Sequence, residues 1–222
     1  MLINSEDSKR NCHRNVILWL VFLNMYLIFG QGGTTKKILV IDPGHGGKDS
    51  GAVGVNKVLE KEVVLNIAHE IQNLNHSILD NEFDIYMTRN TDTLISLRDR
   101  SRLAASIKCD LFVSLHCNAA KTNARGMEIY YPNKENPNIE VAQHLANSIL
   151  EEIIQELGIT ERGVKLANFQ VLRETIGFCP SILIETGFVT NLDEVEYYGQ
   201  PKSIRAIAMA ILLGIYNHFK EQ

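Results

Sequence analysis

Three apolar runs organise the chain, at residues 38–41, 111–115 and 182–184. Each is short and largely apolar, and each stops abruptly at polar residues. Runs of this kind read as central strands covered on both faces. Other stretches repeat apolar residues at helical spacing, over 60–75, 95–107, 139–157 and 203–219, and predict amphipathic helices. The charged residues of the second, Arg98, Asp99, Arg100 and Arg102, read as its solvated face. Residues 83–89 and 127–131 have strand character, and 132–137, bounded by prolines, is a turn-rich loop. Strand and helix patterns alternate with no internal repeat. The fold class expected is α/β: a single domain, built as a three-layer helix–sheet–helix sandwich around a mostly parallel twisted sheet.

Composition supports one domain. A chain of 222 residues with 45% apolar content can bury one substantial core, and a net charge of −4 argues against a nucleic-acid partner. Residues 16–29 are apolar apart from Asn24 and follow Arg10, His13 and Arg14. A basic flank before a short apolar core is the pattern of a signal peptide. Residues 1–32 are therefore expected to be a signal peptide cleaved before Gly33, or else an uncleaved membrane anchor. On either reading 33–222 is exported. Cys12 lies in that leader, leaving Cys109, Cys117 and Cys179, an odd count for an exported domain. Buried free thiols are the favoured reading, with a Cys117–Cys179 or Cys109–Cys179 bridge as the alternative.

The chemistry gathers where the apolar runs end. The first runs into Asp42-Pro43-Gly44-His45-Gly46-Gly47, the second into His116 and the third into Glu185, while Glu60 opens the first amphipathic stretch. Polar groups at the carboxyl ends of adjacent strands mark the usual ligand site of an open α/β sheet. Two imidazoles and a carboxylate leave a fourth tetrahedral position open, as catalytic zinc sites do and structural ones do not. A further glutamate can then transfer protons. Each residue also has a plainer reading. His45 could be a surface residue, His116 a satisfied core histidine, and Glu60 a helix N-terminal carboxylate favoured by the dipole, with Glu62 competing for its role. Glu185 is hardest to dismiss, because an unpaired carboxylate ending an apolar strand is costly. The other histidines, His13, His69, His76, His144 and His218, read as surface.

The segment from Asp42 to Ala52 resembles the opening motif of the zinc-dependent N-acetylmuramoyl-L-alanine amidases of bacterial cell walls, the amidase-3 family. So do Glu60-Lys61, Ser114-Leu115-His116-Cys117-Asn118-Ala119 and Ile184-Glu185-Thr186-Gly187-Phe188-Val189-Thr190-Asn191. Connecting pieces match as well, including Thr88-Arg89, Arg162-Gly163-Val164-Lys165 and Val171-Leu172-Arg173, so the likeness runs in order from about Lys37 to the C-terminus. The resemblance implies one Zn2+ per chain held by His45, Glu60 and His116, with Glu185 as the catalytic proton carrier. Asn118, Arg89 and Arg173 are candidate substrate-orienting residues. The implied substrate is peptidoglycan, cut between N-acetylmuramic acid and the L-alanine of the stem peptide during wall remodelling or daughter-cell separation, which places the enzyme in the periplasm or cell envelope. Some relatives carry a long inserted helix that blocks the zinc; the short connection after Tyr131 leaves little room for one here. Two rivals share the same residues: a zinc peptidase or deacetylase acting on wall fragments, and a non-catalytic peptidoglycan-binding module.

Overall fold

The first strand forms where the sequence is least able to stay in water. Lys37–Pro43 (β1) is buried from Leu39 onward and lies between two parallel neighbours, Phe83–Met87 (β2) and Leu111–Asn118 (β3). This computed structural model describes residues 35–221. The leader expected over 1–32, with Cys12 and His13, lies outside the described residues. The remaining strands are Met127–Pro132 (β4), Glu161–Ala167 (β5) and Ser181–Phe188 (β6), and the sheet order is β2-β1-β3-β6-β4-β5. Strands β1, β2, β3 and β6 run parallel. β4 turns antiparallel to β6, and β5 runs parallel to β4. The sheet is mostly parallel, as expected, with its polarity reversed on one side.

Among the described residues six α-helices complete the layers: α1 (Glu60–Ser77), α2 (Leu97–Ile107), α3 (Ile139–Leu157), α4 (Gln170–Thr175), α5 (Leu192–Tyr198) and α6 (Pro201–Lys220). Side chains alternate between faces along each strand, and this divides the core. Leu39, Ile41, Val113, Leu115, Ile182, Ile184 and Ile129 pack with α1, α3 and α6 in the larger cluster. Val40, Phe112 and Leu183 face the other way, against Ala104 of α2 and Val171 and Leu172 of α4. The result is the three-layer sandwich that the hydrophobic pattern predicts. α3 and α6 approach closely at Gly214, where an added Cβ would stand 2.5 Å from Ile149 Cα.

Local chemistry sets the boundaries. Ser96 caps α2 by accepting a hydrogen bond from Asp99 N (3.2 Å), so this helix starts two residues later than its apolar spacing suggests. Pro201 occupies the first turn of α6, where its missing N–H costs nothing. β5, α4 and α5 have short or weakly periodic sequences that announce no element. Two surface assignments are corrected. His218 is fully buried in α6, 3.0 Å from His144 through their Nδ1 atoms. Arg100 is 2% exposed and turns inward from α2. His76 and His144 are exposed and His69 is half-buried. Cys109, Cys117 and Cys179 are free and buried. Among the described residues, no helix is long and apolar enough to cross a membrane.

Candidate metal centre

His45, Glu60 and His116 converge beyond the carboxyl ends of β1 and β3, each offering a donor atom within 4.8 Å of the others. Glu60 Oε1 is the meeting point, 3.0 Å from His45 Nε2 and 2.8 Å from His116 Nδ1. Backbone N–H groups hold the same carboxylate from behind: Cys117 N donates to Oε1 (3.0 Å) and Ala52 N to Oε2 (2.8 Å). Burial would raise the pKa of Glu60, but hydrogen bonds to His116 and His45 outweigh it and hold the carboxyl well below the usual range. Glu62 is exposed, so Glu60 is the helix residue that reaches the histidines. The other ring nitrogen of His45, Nδ1, lies 2.9 Å from Asp49 Oδ2. A carboxylate there fixes the tautomer and aims Nε2 at Glu60. Burial lowers the His45 pKa, yet Glu60 and Asp49 together raise it above its ordinary value.

The backbone is shaped around these rings. His45 has φ 60°, a left-handed conformation that a non-glycine residue adopts at a cost. A Cβ on Gly44 would come within 2.3 Å of His116 Cε1, so only glycine leaves room for that ring. Two buried guanidiniums hold the loop in place. Arg100 Nη1 donates to Asp42 Oδ1 (2.6 Å) and Pro43 O (2.7 Å), and its Nη2 donates to His45 O (2.6 Å). Arg89 donates to Pro43 O (2.9 Å), Gly44 O (2.8 Å) and Lys61 O (2.8 Å). The sequence offers Arg89 as a substrate contact; its bonds instead tie it to the scaffold behind His45. Asp42, 1% exposed, is completed by hydroxyl donors from Thr88 (2.6 Å) and Ser114 (2.7 Å).

Glu185 stands beside this cluster. It pairs across the sheet with His116 on β3 and with Glu128 on β4, so the three side chains form a row on one face. Its Oε2 is buried with no hydrogen-bond partner among the described residues. Burial pushes its pKa up to about 7, helped by the negative charges of Glu60 and Glu128 and opposed by the histidines. A buried, unsatisfied carboxylate beside two imidazoles and a carboxylate suits a cation with borderline ligand preferences. The donor set, its tautomer control and the orphaned oxygen all fit a single catalytic metal. The Cys117 side chain, next to His116 in sequence, packs in the larger core on the opposite face, and only its backbone N–H serves the cluster.

Glu128 is the functional neighbour that the sequence does not single out. It is 4% exposed and gathers four donors: Asn118 Nδ2 (2.6 Å), Tyr130 Oη (2.9 Å), Arg162 Nε (3.1 Å) and Lys165 Nζ. Burial opposes its ionisation, but Lys165 and Asn118 prevail and hold the pKa near 2. A glutamate between the apolar Met127 and Ile129 on a strand was the available signal. Of the candidate substrate residues, Asn118 is held by Glu128, the residue opposite Glu185 on β4. Arg173 is exposed on α4 and bonds to Asn168 (2.8 Å) rather than to any member of the cluster.

Three donors, an open side and an adjacent buried carboxylate are the parts of a mononuclear metal hydrolase. Residues 39–217 match the Amidase_3 family, described as N-acetylmuramoyl-L-alanine amidase. The chain is 32% identical over 240 residues to a germination-specific N-acetylmuramoyl-L-alanine amidase of Bacillus subtilis (strain 168), covering 94% of this chain and 98% of that one. It is also 36% identical to the amidase LytC of the same organism, covering 82% of this chain but only 35% of LytC. A solved N-acetylmuramoyl-L-alanine amidase from Clostridium difficile 630 superposes with TM-score 0.78 at 32% identity, covering 85% of this chain and all of that one. The chain belongs to the Amidase_3 family of N-acetylmuramoyl-L-alanine amidases.

Proposed function

We propose that this protein is a zinc-dependent N-acetylmuramoyl-L-alanine amidase that releases stem peptides from peptidoglycan, with His45, Glu60 and His116 as zinc ligands and Glu185 as the proton carrier. The observation that carries this reading is the unpartnered Glu185 Oε2, buried beside the three convergent donors. When bound, zinc supplies Lewis acidity toward the scissile carbonyl and toward water. Glu185 accepts the proton of the attacking water and returns it to the departing alanine nitrogen. Its burial serves that task, because a carboxylate pushed up to about 7 both takes and gives a proton near neutrality. Asp49 holds the His45 ring, and the Ala52 and Cys117 amides support the ionised Glu60 facing His45 and His116, the three residues that would hold the metal.

The setting follows from the substrate. Peptidoglycan lies outside the cytoplasm, so residues 1–32 act as a leader or a membrane tether and the folded part works in the periplasm or cell envelope. β4 and α3 are joined by residues 133–138 alone, too short a connection for a helix that could cover the metal. The enzyme is therefore expected to be active without an activator. The test is mass spectrometry of purified peptidoglycan incubated with the zinc-loaded chain, with Glu185→Gln and with chelator-treated wild type. Free stem peptides and peptide-free glycan from the loaded wild type alone are expected, with Glu185→Gln slower by about 10²–10⁴-fold. Products cut within the peptide would instead make it a peptidase.

A further inference from the structure

The row of side chains that starts at His116 does not end at Glu185. It continues through Glu128 to two cations of β5, Arg162 and Lys165, both held on the Glu128 carboxylate. Three features separate this group from an ordinary neutralised acid. Two cations meet one carboxylate, which leaves a net charge of +1. Glu128 has little need of both, since Asn118 and Tyr130 also donate to it. The carboxylate side chain is only 6% exposed, while those of Arg162 and Lys165 are 35% and 41% exposed. The buried acid thus fixes two partly exposed cationic heads, of which Arg162 also reaches Arg125 O through Nη1 (3.5 Å). Arg162 is further steadied over the Phe188 ring, 4.9 Å from its centroid.

The spacing suits a peptide. Glu128 lies directly opposite Glu185 on the adjacent strand, and β5 is one strand further, so the β5 backbone is about 10 Å from that of Glu185. Long side chains reach back over part of that distance to Glu128. An extended peptide advances about 3.5 Å per residue, so a chain leaving the scissile bond toward β4 brings its second residue to the two cations. In a stem peptide that residue is a D-glutamate, linked through its side chain and bearing its α-carboxylate free or amidated.

Resting on the amidase reading, we infer that Arg162 and Lys165 form a carboxylate-binding subsite for the second stem-peptide residue, built on Glu128, which makes the enzyme selective for stem peptides with a free α-carboxylate there. Planar guanidinium and point-charge ammonium together suit a carboxylate.

The experiment uses the zinc-loaded full chain and two synthetic glycan–stem-peptide oligomers, identical except for D-glutamate or D-isoglutamine at the second position. Peptide release by wild type is expected to favour the free acid in kcat/KM by about tenfold or more, expressed in KM. Arg162→Gln and Lys165→Gln, each leaving Glu128 one cation, are expected to shrink that ratio toward one. Lys165→Arg is expected to keep it. Equal cleavage of the two oligomers by wild type overturns the subsite and leaves the amidase standing. So does a ratio unchanged in both Gln variants, which would make the pair mere support for Glu128. Cleavage of neither oligomer overturns both readings.

Discussion

Arg100 shows what one buried side chain does for the site. It neutralises Asp42 and grips the carbonyls of Pro43 and His45, so the left-handed turn that presents His45 is held by charge as well as by glycine. Arg100→Met leaves Asp42 a buried charge without its partner and is expected to destabilise the fold by about 3–5 kcal/mol in urea unfolding. Adding Asp42→Asn should recover much of that stability. Zinc affinity in a competing-chelator titration should stay about 10–100-fold low, because the His45 carbonyl remains untethered. Full recovery of both would mean that Arg100 matters only as a counterion. The sequence reveals His45, Glu60, His116 and Glu185 because each interrupts an apolar pattern at its edge. It does not reveal Arg100, whose helix face carries Arg98, Asp99 and Arg102 beside it and looks uniformly charged. Nothing short of the fold shows that only one of them points at Asp42.

Among elements, those with a strong apolar pattern were legible and those without one were not. β1, β3 and β6 are buried on both faces and announce themselves as predominantly apolar runs, and α1, α3 and α6 carry wide apolar stripes. β5 exposes both ends and α4 spans a single turn and a half, so neither leaves a period to read. The reversed direction of β4 depends on its pairing with β6, a long-range choice that local pattern does not encode. The α3–α6 packing gives a clean test of the larger core. Gly214→Ala drives a methyl group against Ile149 Cα and is expected to cost about 1–3 kcal/mol. These helices cover the face opposite the Glu185 row, so zinc affinity should not change. A variant as stable as wild type would show that the two helices separate freely.

For the molecule as a whole, the site should be visible in the pH dependence of stability. The Glu185 carboxyl is raised from 4.5 to about 7 on folding, so between those values the folded chain binds more protons than the unfolded one and loses stability as pH rises. Glu60 changes in the opposite sense, but its contribution is complete above about pH 5. Metal-free Glu185→Gln should therefore match wild type near pH 4.5 and exceed it at pH 8 by roughly 2 kcal/mol, read as the shift in urea midpoint. A difference independent of pH would mean that the carboxyl is not strained. The row from His116 through Glu185 to Glu128 also has a cost in precision. It exists only while three strands stay in register, and a slip of one residue in β6 would turn Glu185 to the opposite face while leaving every strand paired. Such a chain would keep its helices and much of its compactness. Turnover is thus a stricter proof of correct assembly than any spectroscopic measure of secondary structure, and preparations with the right spectrum but fractional activity should be checked first for misaligned strands.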